Sequence, residues 1–106
     1  MAILLIHGGA GTIAERYQAE YEAGLSAALT AGWQELNAGA EPGAGGSRAL
    51  AAVLAAVTNM ESNAATFNAG VGGALTRDGT VELDACVMVS DAAAGARAGA
   101  VAGVTN

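Results

Sequence analysis

Small residues dominate this chain and limit the folds that it can adopt. Its 28 alanines and 16 glycines fill 44 of 106 positions, and only four residues are aromatic. Ala and Gly side chains bury little apolar area, so they offset little of the roughly 1–2 kcal/mol of backbone entropy that each residue loses on folding. Their backbones can instead approach closely. We therefore predict tight packing of helices and strands around a core that is small for an independent domain.

Helical periodicity occupies the first half of the chain. Residues 2–6 form a short apolar run before a glycine cluster, which predicts a buried strand. Residues 14–38 repeat apolar or small side chains every three or four positions, which predicts a long helix. Ser47 is a suitable N-cap for a second helix that ends near Asn59. The apolar stripes are Tyr17, Tyr21, Leu25, Ala28, Gly32 and Leu36 in the first helix, and Leu50, Val53, Leu54 and Val57 in the second.

Strand patterns dominate the second half. A turn signal separates the runs 73–76 and 81–90, which predicts an antiparallel hairpin. A further turn near 92–95 leads into a strand at 98–104. The order strand, helix, helix and then strands indicates an α+β fold with an antiparallel sheet. Because no repeat or domain boundary interrupts residues 1–106, we predict a single, partial domain.

Alternation along the longest strand defines two faces of the predicted sheet. The two helices can cover only one face, so the other face should need a second layer from elsewhere. Without that layer we expect exposed apolar surface and an unpaired strand edge near 98–104. One face carries Val81, Leu83, Ala85 and Val87, and the other carries Glu82, Asp84, Cys86 and Met88.

The charge balance limits the partners of the chain. Ten acidic residues against four arginines, with no lysine, give a formal net charge of −6. Nucleic acids and anionic membranes both require a basic face, so we expect neither as a partner. The opening apolar run ends at His7 and is too short for a signal-peptide core or a membrane span. The single cysteine, Cys86, fits a reducing compartment and is expected to be a buried apolar residue, so we predict a cytoplasmic protein.

Sequence patterns alone identify few candidate catalytic or ligand-binding residues. His7 is the only histidine, and a hydrogen-bonded role explains it better than a role as a base. Glu82 and Asp84 share a strand face, as catalytic carboxylate pairs do, but solvent-facing strand residues show the same pattern. Residues 9–14 fit a dinucleotide-binding glycine loop, although the acidic strand end that should follow is missing. The loop at 60–71 offers main-chain oxygens, which are ligands for hard cations.

Four segments of the chain carry a combined signature. They are IHGGAGTI at residues 6–13, FNAGVG at 67–72, TRDGTVELDACVM at 76–88 and AGAVAGV at 98–104. In content, order and spacing they resemble the plant-type L-asparaginases, which are also isoaspartyl peptidases. The resemblance covers nearly the whole chain, and the four segments together are far more specific than any single one.

The resemblance implies an N-terminal-nucleophile (Ntn) hydrolase with an αββα sandwich. In that family a precursor cuts itself into two subunits, and a threonine exposed at the start of the second is the nucleophile that hydrolyses L-asparagine and β-aspartyl dipeptides. That threonine lies outside this chain. The implied identity is therefore the N-terminal portion of the α subunit, inactive alone. Its implied partner is the missing C-terminal β portion, with a homodimer of αβ units in the complete enzyme.

Residues that match the family's site fall into two groups. The first group is expected to lie near the processing site and the surroundings of the nucleophile. The second is expected to hold a structural sodium ion through main-chain carbonyl oxygens, and no other cofactor is implied. The first group is His7, Gly8, Gly9, Gly11 and Asn68; the second is Phe67, Ala69 and Val71, with Met60 and Glu61 upstream.

Two other functions stay open beside the enzyme. One is an interaction domain that keeps the fold without the chemistry, and the other is a nucleotide-binding module built on residues 9–14. A downstream threonine in a Gly-Thr-Val-Gly context would favour the enzyme. A nucleotide-dependent rise of the melting temperature would favour the nucleotide-binding module.

Overall fold

The computed structural model describes residues 2–39, 47–91 and 95–105. They contain two helices and then two strands paired antiparallel in one sheet, so the predicted α+β class is confirmed. Most of the predicted turn at 92–95 lies outside these residues. The elements are α1 (Glu15–Leu36), α2 (Arg48–Glu61), β1 (Glu82–Asp91) and β2 (Gly95–Thr105).

Both helices lie within two residues of their predicted bounds. Ala14 is the N-cap residue of α1, and its side chain makes no capping hydrogen bond. At the C-terminal end of α1, Asn37 Nδ2 donates to the Trp33 carbonyl oxygen at 2.8 Å. That bond satisfies one of the carbonyl groups that a helix end leaves free. Ser47 caps α2 as predicted, because its Oγ accepts from the Leu50 N–H at 3.2 Å. Neither described helix is both long and apolar enough to cross a membrane.

The two helices pack against each other through their smallest residues. Gly24, Ala28 and Gly32 of α1 are buried, as are Ala52 and Ala56 of α2. The four-residue spacing on both helices forms ridges that interdigitate. A Cβ at residue 32 would lie 2.7 Å from the Ala52 carbonyl oxygen, closer than real Cβ atoms approach. The helix contact therefore requires glycine at this position, despite its low helix propensity.

The substitution Gly32→Ala is expected to destabilise the chain, although alanine favours an isolated helix by about 1 kcal/mol. The added methyl would overlap the Ala52 oxygen and force the helices apart, and such overpacking costs about 1–3 kcal/mol. The midpoint of thermal unfolding of the complete gene product, followed by far-UV circular dichroism, should fall. The control Gln18→Ala, at an exposed position of the same helix, should leave it unchanged or raise it. A higher midpoint for Gly32→Ala would contradict the close contact.

The prediction that the large aliphatic residues of α2 form its buried face is wrong. Val53, Leu54 and Val57 are 44%, 51% and 43% exposed. The face that meets α1 carries alanines instead, because only small side chains permit so close a helix contact. The three larger side chains point toward the hairpin and line an apolar cavity of about 440 Å³ between α2 and the strands. On α1 the predicted stripe is confirmed at Ala28 and Gly32, which are buried, and is wrong at Tyr17, which is 44% exposed.

The predicted N-terminal strand at residues 2–6 is not formed. A strand needs a hydrogen-bonded neighbour, and none of the described strands lies beside this segment. Its burial nevertheless alternates with period two. Ile3 and Leu5 are 80% and 88% exposed, whereas Leu4 and Ile6 are half-buried against the helix pair. The segment is therefore strand-like but unpaired.

A β-bulge interrupts the pairing of β1 with β2. The register shifts between Leu83 and Ala85, where β2 contains one extra residue. Gly103, in the bulge, has a φ of +66°, which favours glycine. Its N–H donates to Asp84 Oδ1 at 3.0 Å. The carboxylate of Asp84 thus supports the bulge.

In the complete gene product, the substitution Asp84→Ala is expected to lower the free energy of unfolding by about 1 kcal/mol, because the Gly103 N–H loses its acceptor. Hydrogen exchange of the Gly103 amide should speed up. Glu82→Ala is the matched control, since Glu82 is exposed on the same face two residues earlier, and it should change neither quantity. Equal effects of the two substitutions would contradict the role of Asp84.

The first predicted hairpin is reduced to a single bridge at Leu75. Its turn forms as predicted, with the Thr76 N–H donating to the Thr80 carbonyl oxygen at 2.7 Å. The strand before the turn does not extend, because the Gly73 N–H donates back to the Gly70 carbonyl oxygen at 2.8 Å. The hairpin partner of β1 is β2 instead.

The described core is small for the length of the chain. Its buried apolar residues are three alanines, Met60 and Phe67, and the helix pair makes few contacts with the hairpin. The chain exposes 7671 Å², whereas a folded monomer of its mass exposes about 5,300 Å². Its radius of gyration is 15.5 Å, against about 13 Å for a compact domain of this length. Much apolar surface therefore stays open.

Candidate functional site

Two segments that are distant in sequence face each other across an open cavity of about 570 Å³. One segment, residues 8–14, precedes α1, and the other, residues 64–68, follows α2. Tyr17 and Tyr21 of α1 complete the wall, together with Gly72. Two of the four segments that carry the family signature thus meet at one place.

A hydrogen bond between a side chain and the main chain shapes the N-terminal turn. The Gly9 N–H donates to His7 Nδ1 at 3.2 Å, which agrees with the hydrogen-bonded role predicted for the histidine. With Nδ1 as acceptor, a neutral imidazole carries its proton on Nε2. Gly9 has a φ of +115°, a conformation that strains other residues. Gly8 lies against Leu25, where a Cβ would come within 2.9 Å of the leucine side chain.

The loop after α2 packs against α1 through the aromatic ring of Phe67. The Phe67 N–H donates to the Asn63 carbonyl oxygen at 3.0 Å, and its ring is buried. That ring meets Tyr21 edge-on, with 5.7 Å between the ring centroids and 81° between the planes. It also lies over Gly24, where a Cβ would come within 2.9 Å of a ring carbon. Phe67 therefore joins the loop, the cavity wall and the core.

Two glycines allow this loop to fold back on itself. A Cβ at Gly70 would overlap the main chain of Glu61, at 2.5 Å from its Cα. A Cβ at Gly72 would overlap the carbonyl oxygens of Phe67 and Ala64. Glycine is therefore required at both positions of the Phe-Asn-Ala-Gly-Val-Gly segment, because another part of the main chain approaches each of them closely.

Nine of the ten site residues named from the resemblance divide between two adjoining cavities, and the tenth, Val71, lines neither and is 47% exposed. The larger cavity is the one between residues 8–14 and residues 64–68. The smaller, of about 280 Å³, lies between the N-terminal segment and α2. The larger cavity is lined by Gly8, Gly9, Gly11, Phe67 and Asn68, and the smaller by His7, Met60, Glu61 and Ala69.

The candidate cation ligands in this loop are main-chain oxygens. Within residues 47–91, no loop or turn N–H donates to the carbonyl oxygens of Phe67, Ala69 or Val71, whereas those of Met60 and Glu61 already accept hydrogen bonds. The described residues contain no cluster of three His, Cys, Asp or Glu side chains. An ion at this loop would therefore rely on carbonyl oxygens, the ligand type that hard cations prefer.

The other candidate groups lie on the hairpin and do not line the larger cavity. Glu82 is exposed, and Asp84 binds the bulge, so the interpretation as ordinary strand residues is confirmed. The expectation of a buried Cys86 is wrong, because its thiol is exposed. It shares its sheet face with Met88, which is 73% exposed, and none of the described elements covers that face.

The structure does not support the dinucleotide hypothesis for residues 9–14. The glycine loop does precede a helix, but α1 leads into α2, and the sheet of the described residues is antiparallel. A dinucleotide-binding unit needs two parallel strands around its helix, with the phosphates at the turn between them.

Two tyrosines of the cavity wall were predicted only as members of a helix stripe. Tyr17 and Tyr21 stand one turn apart directly after the glycine loop, and that spacing was the available signal. The Arg16 guanidinium lies over the Tyr17 ring, 4.8 Å from its centroid. The small residues at 64–66 have no sequence signal of their own.

Comparison with known proteins shows which family combines these segments. A sequence profile of the asparaginase family matches residues 1–106. The chain belongs to the asparaginase family. The resemblance carried by the four segments is thereby confirmed, and the cavity of this asparaginase-family chain lies where two of them meet.

Individual relatives match over nearly the whole chain. A plant-type L-asparaginase of Thermococcus kodakarensis is 45% identical over 106 residues, which cover 98% of this chain and 30% of that protein. A plant-type L-asparaginase of Pyrococcus abyssi is 43% identical over 106 residues, with the same coverage. An isoaspartyl peptidase of Salmonella typhimurium is 42% identical over 110 residues, which cover 99% of this chain and 32% of that protein. The chain spans about a third of the length of these curated relatives.

Proposed function

We propose that this chain is the N-terminal portion of an amidohydrolase that acts on L-asparagine and β-aspartyl dipeptides. The observation that carries the proposal is the meeting of the 7–11 turn with the 67–72 loop around one cavity. The cavity wall offers glycine main chain and the side-chain amide of Asn68, groups that can hydrogen-bond an amide substrate or a developing oxyanion. The relatives named as asparaginases and isoaspartyl peptidases support the same reaction.

The nucleophile in this proposal is a threonine outside these 106 residues, exposed when an Ntn-type precursor cuts itself. Its free α-amino group, with an unperturbed pKa of about 7.7–8.0, takes the hydroxyl proton at neutral pH. The hydroxyl oxygen then attacks the amide carbon, and ammonia or an amino acid leaves with that proton. Water hydrolyses the resulting ester and releases aspartate. The chain described here contributes to binding and orientation in this scheme.

The proposed partner is the C-terminal β portion of the same precursor, and two αβ units would form a homodimer. Support comes from the uncovered sheet face around Met88 and from the large exposed area of the chain. A structural sodium ion would be held by the carbonyl oxygens of Phe67, Ala69 and Val71, with Met60 and Glu61 beside them. It would stiffen the loop and take no part in bond breaking. The proposed location of the enzyme is the cytoplasm.

The purified 106-residue chain is expected to hydrolyse neither L-asparagine nor β-aspartyl dipeptides, because the proposed nucleophile is elsewhere. Ammonia and aspartate release should be measured for the chain alone and for the complete gene product. The complete product should be active, and its variant with the downstream nucleophilic threonine replaced by alanine should be folded and inactive. Activity of the chain alone, free of host enzyme, would contradict the proposal. A complete product that is folded but inactive would favour the interaction domain.

A further inference from the structure

The larger cavity has an aromatic wall where α1 forms it. Tyr17 and Tyr21 both line this cavity and stand one helix turn apart, so their side chains lie on one face of α1. Ile13 and Ala14 extend the apolar surface just before the helix. Glycine main chain and the amide of Asn68 add polar groups to the lining. The cavity therefore combines hydrogen-bonding groups with an aromatic surface.

Neighbouring residues hold both tyrosine rings in place. The Tyr21 ring meets the buried Phe67 ring edge-on, with 5.7 Å between the centroids. The Arg16 guanidinium lies over the Tyr17 ring, 4.8 Å from its centroid. Tyr17 is nevertheless 44% exposed, so much of its surface remains available to a ligand. Because rings that are held in advance lose little freedom on binding, this wall is prepared for an apolar group.

The cavity offers more space than a single free amino acid fills. Its volume is about 570 Å³, and pockets of roughly 300–1,000 Å³ hold drug-sized ligands. L-Asparagine and a β-aspartyl dipeptide present the same aspartyl group, but their leaving groups differ. Asparagine releases ammonia, whereas the dipeptide releases a whole amino acid. The remaining space therefore suits the dipeptide better than asparagine.

The aromatic wall suits only one part of such a dipeptide. The aspartyl group carries a charged amino group and a charged carboxylate, and burying charges against apolar rings is costly. An apolar or aromatic side chain on the second residue has no such cost. Aromatic rings also attract each other beyond their buried area when their centroids lie roughly 4.5–7 Å apart. The wall therefore favours an aromatic side chain on the second residue.

We propose that Tyr17 and Tyr21 form a subsite for the second residue of a β-aspartyl dipeptide, and that this subsite selects an aromatic side chain. The amino acid that leaves the enzyme is then phenylalanine or tyrosine rather than a small residue. This inference rests on the proposed function in one respect, namely that the complete protein hydrolyses β-aspartyl dipeptides. It adds the class of dipeptide and the residues that select it.

The test compares two dipeptides that differ only in the side chain of the second residue. They are β-aspartyl-phenylalanine and β-aspartyl-glycine, and both are given to the complete gene product. The kcat/KM should be about 10-fold higher for the phenylalanine dipeptide. Tyr17→Ala should remove most of that preference, because it removes the exposed ring of the wall. The ratio of the two kcat/KM values is the readout, since a change in folding or in binding of the aspartyl group affects both substrates alike.

Two further variants serve as controls. Tyr17→Phe keeps the ring and should keep the preference; its loss there would assign the effect to the hydroxyl group and contradict ring packing. Trp33→Ala should leave the ratio unchanged, because Trp33 is an aromatic residue of the same helix with a similar exposure, 47%, and does not line the cavity. Tyr21 is kept intact in the test, since its ring also packs against Phe67 in the core.

The outcomes separate the subsite from the reaction. An active product without the preference, or a Tyr17→Ala variant that keeps it, would overturn the subsite and leave the proposed function intact. A folded product that hydrolyses neither dipeptide would count against the proposed function. Calorimetric titration of that product with both dipeptides would then decide the subsite. Tighter binding of the phenylalanine dipeptide, lost in Tyr17→Ala, would support the subsite, and equal binding or no binding would overturn it.

Discussion

The 106-residue chain purified alone is expected to associate with itself or to unfold without a cooperative transition. Its sheet exposes Met88 on one face, and its helix pair exposes Leu54 on α2. Each 100 Å² of apolar area that stays in water forgoes about 2.5 kcal/mol of stabilisation. Light scattering coupled to size-exclusion chromatography should show a mass that rises with concentration. Co-expression with the remainder of the gene product should yield a species with one sharp melting transition.

A pair of surface variants tests the cause of that association. Met88→Lys places a charge on the uncovered sheet face and should shift the chain toward the monomer. Ser90→Lys is the matched control, because it adds the same charge to an exposed polar position two residues along the same face. It should have the smaller effect. A monomer that melts sharply and independently of concentration would show that the chain stabilises itself and would contradict this expectation.

Replacing Phe67 by alanine is expected to cost about 3–5 kcal/mol, the range for deleting a buried aromatic ring. Of the four aromatic residues, Phe67 alone is buried, and it joins the loop to Tyr21 and Gly24. Its loss should release the loop and lower the denaturant midpoint of the complete product. It should also weaken any binding of sodium, followed as the dependence of that midpoint on sodium concentration.

The matched control for Phe67→Ala is Trp33→Ala. The Trp33 side chain is larger but 47% exposed on the same helix that Phe67 packs against. Its removal should cost less than about 1 kcal/mol, in line with substitutions at the surface. Equal losses for the two variants would mean that the Phe67 ring does not anchor the loop.

Local patterns in the sequence predicted the elements that depend on local interactions. The helix at 47–59 follows from periodicity and the Ser47 cap, and the cap forms in the structure. The buried face of α2 could not be predicted in the same way, because a hydrophobicity pattern ranks valine and leucine above alanine. Alanines form the buried face because only small side chains let the two backbones approach as closely as the contact at Gly32 requires.

Features that depend on distant segments were the least predictable. The apolar run at 2–6 has the composition of a strand, but pairing needs a neighbour that the described residues do not supply. Cys86 was expected to be buried, and the uncovered sheet face leaves it exposed. At the site, the glycine turn and the Phe67 loop were recognised as separate motifs. Their meeting around one cavity depends on how α1 and α2 cross, which no local pattern contains.

The contacts of the fold have a consequence for the order in which the chain acquires its structure. α1 packs mainly with α2, and β1 mainly with β2, so the dominant contacts join elements adjacent in sequence. Contacts of this kind close short loops and form fast, whereas pairing between distant segments is slow. During synthesis the helix pair and the hairpin should therefore assemble early as two separate units, before the rest of the polypeptide leaves the ribosome. Pulse-labelling of ribosome-bound chains should then find protected amides in α1 and α2 while those of residues 2–6 still exchange freely.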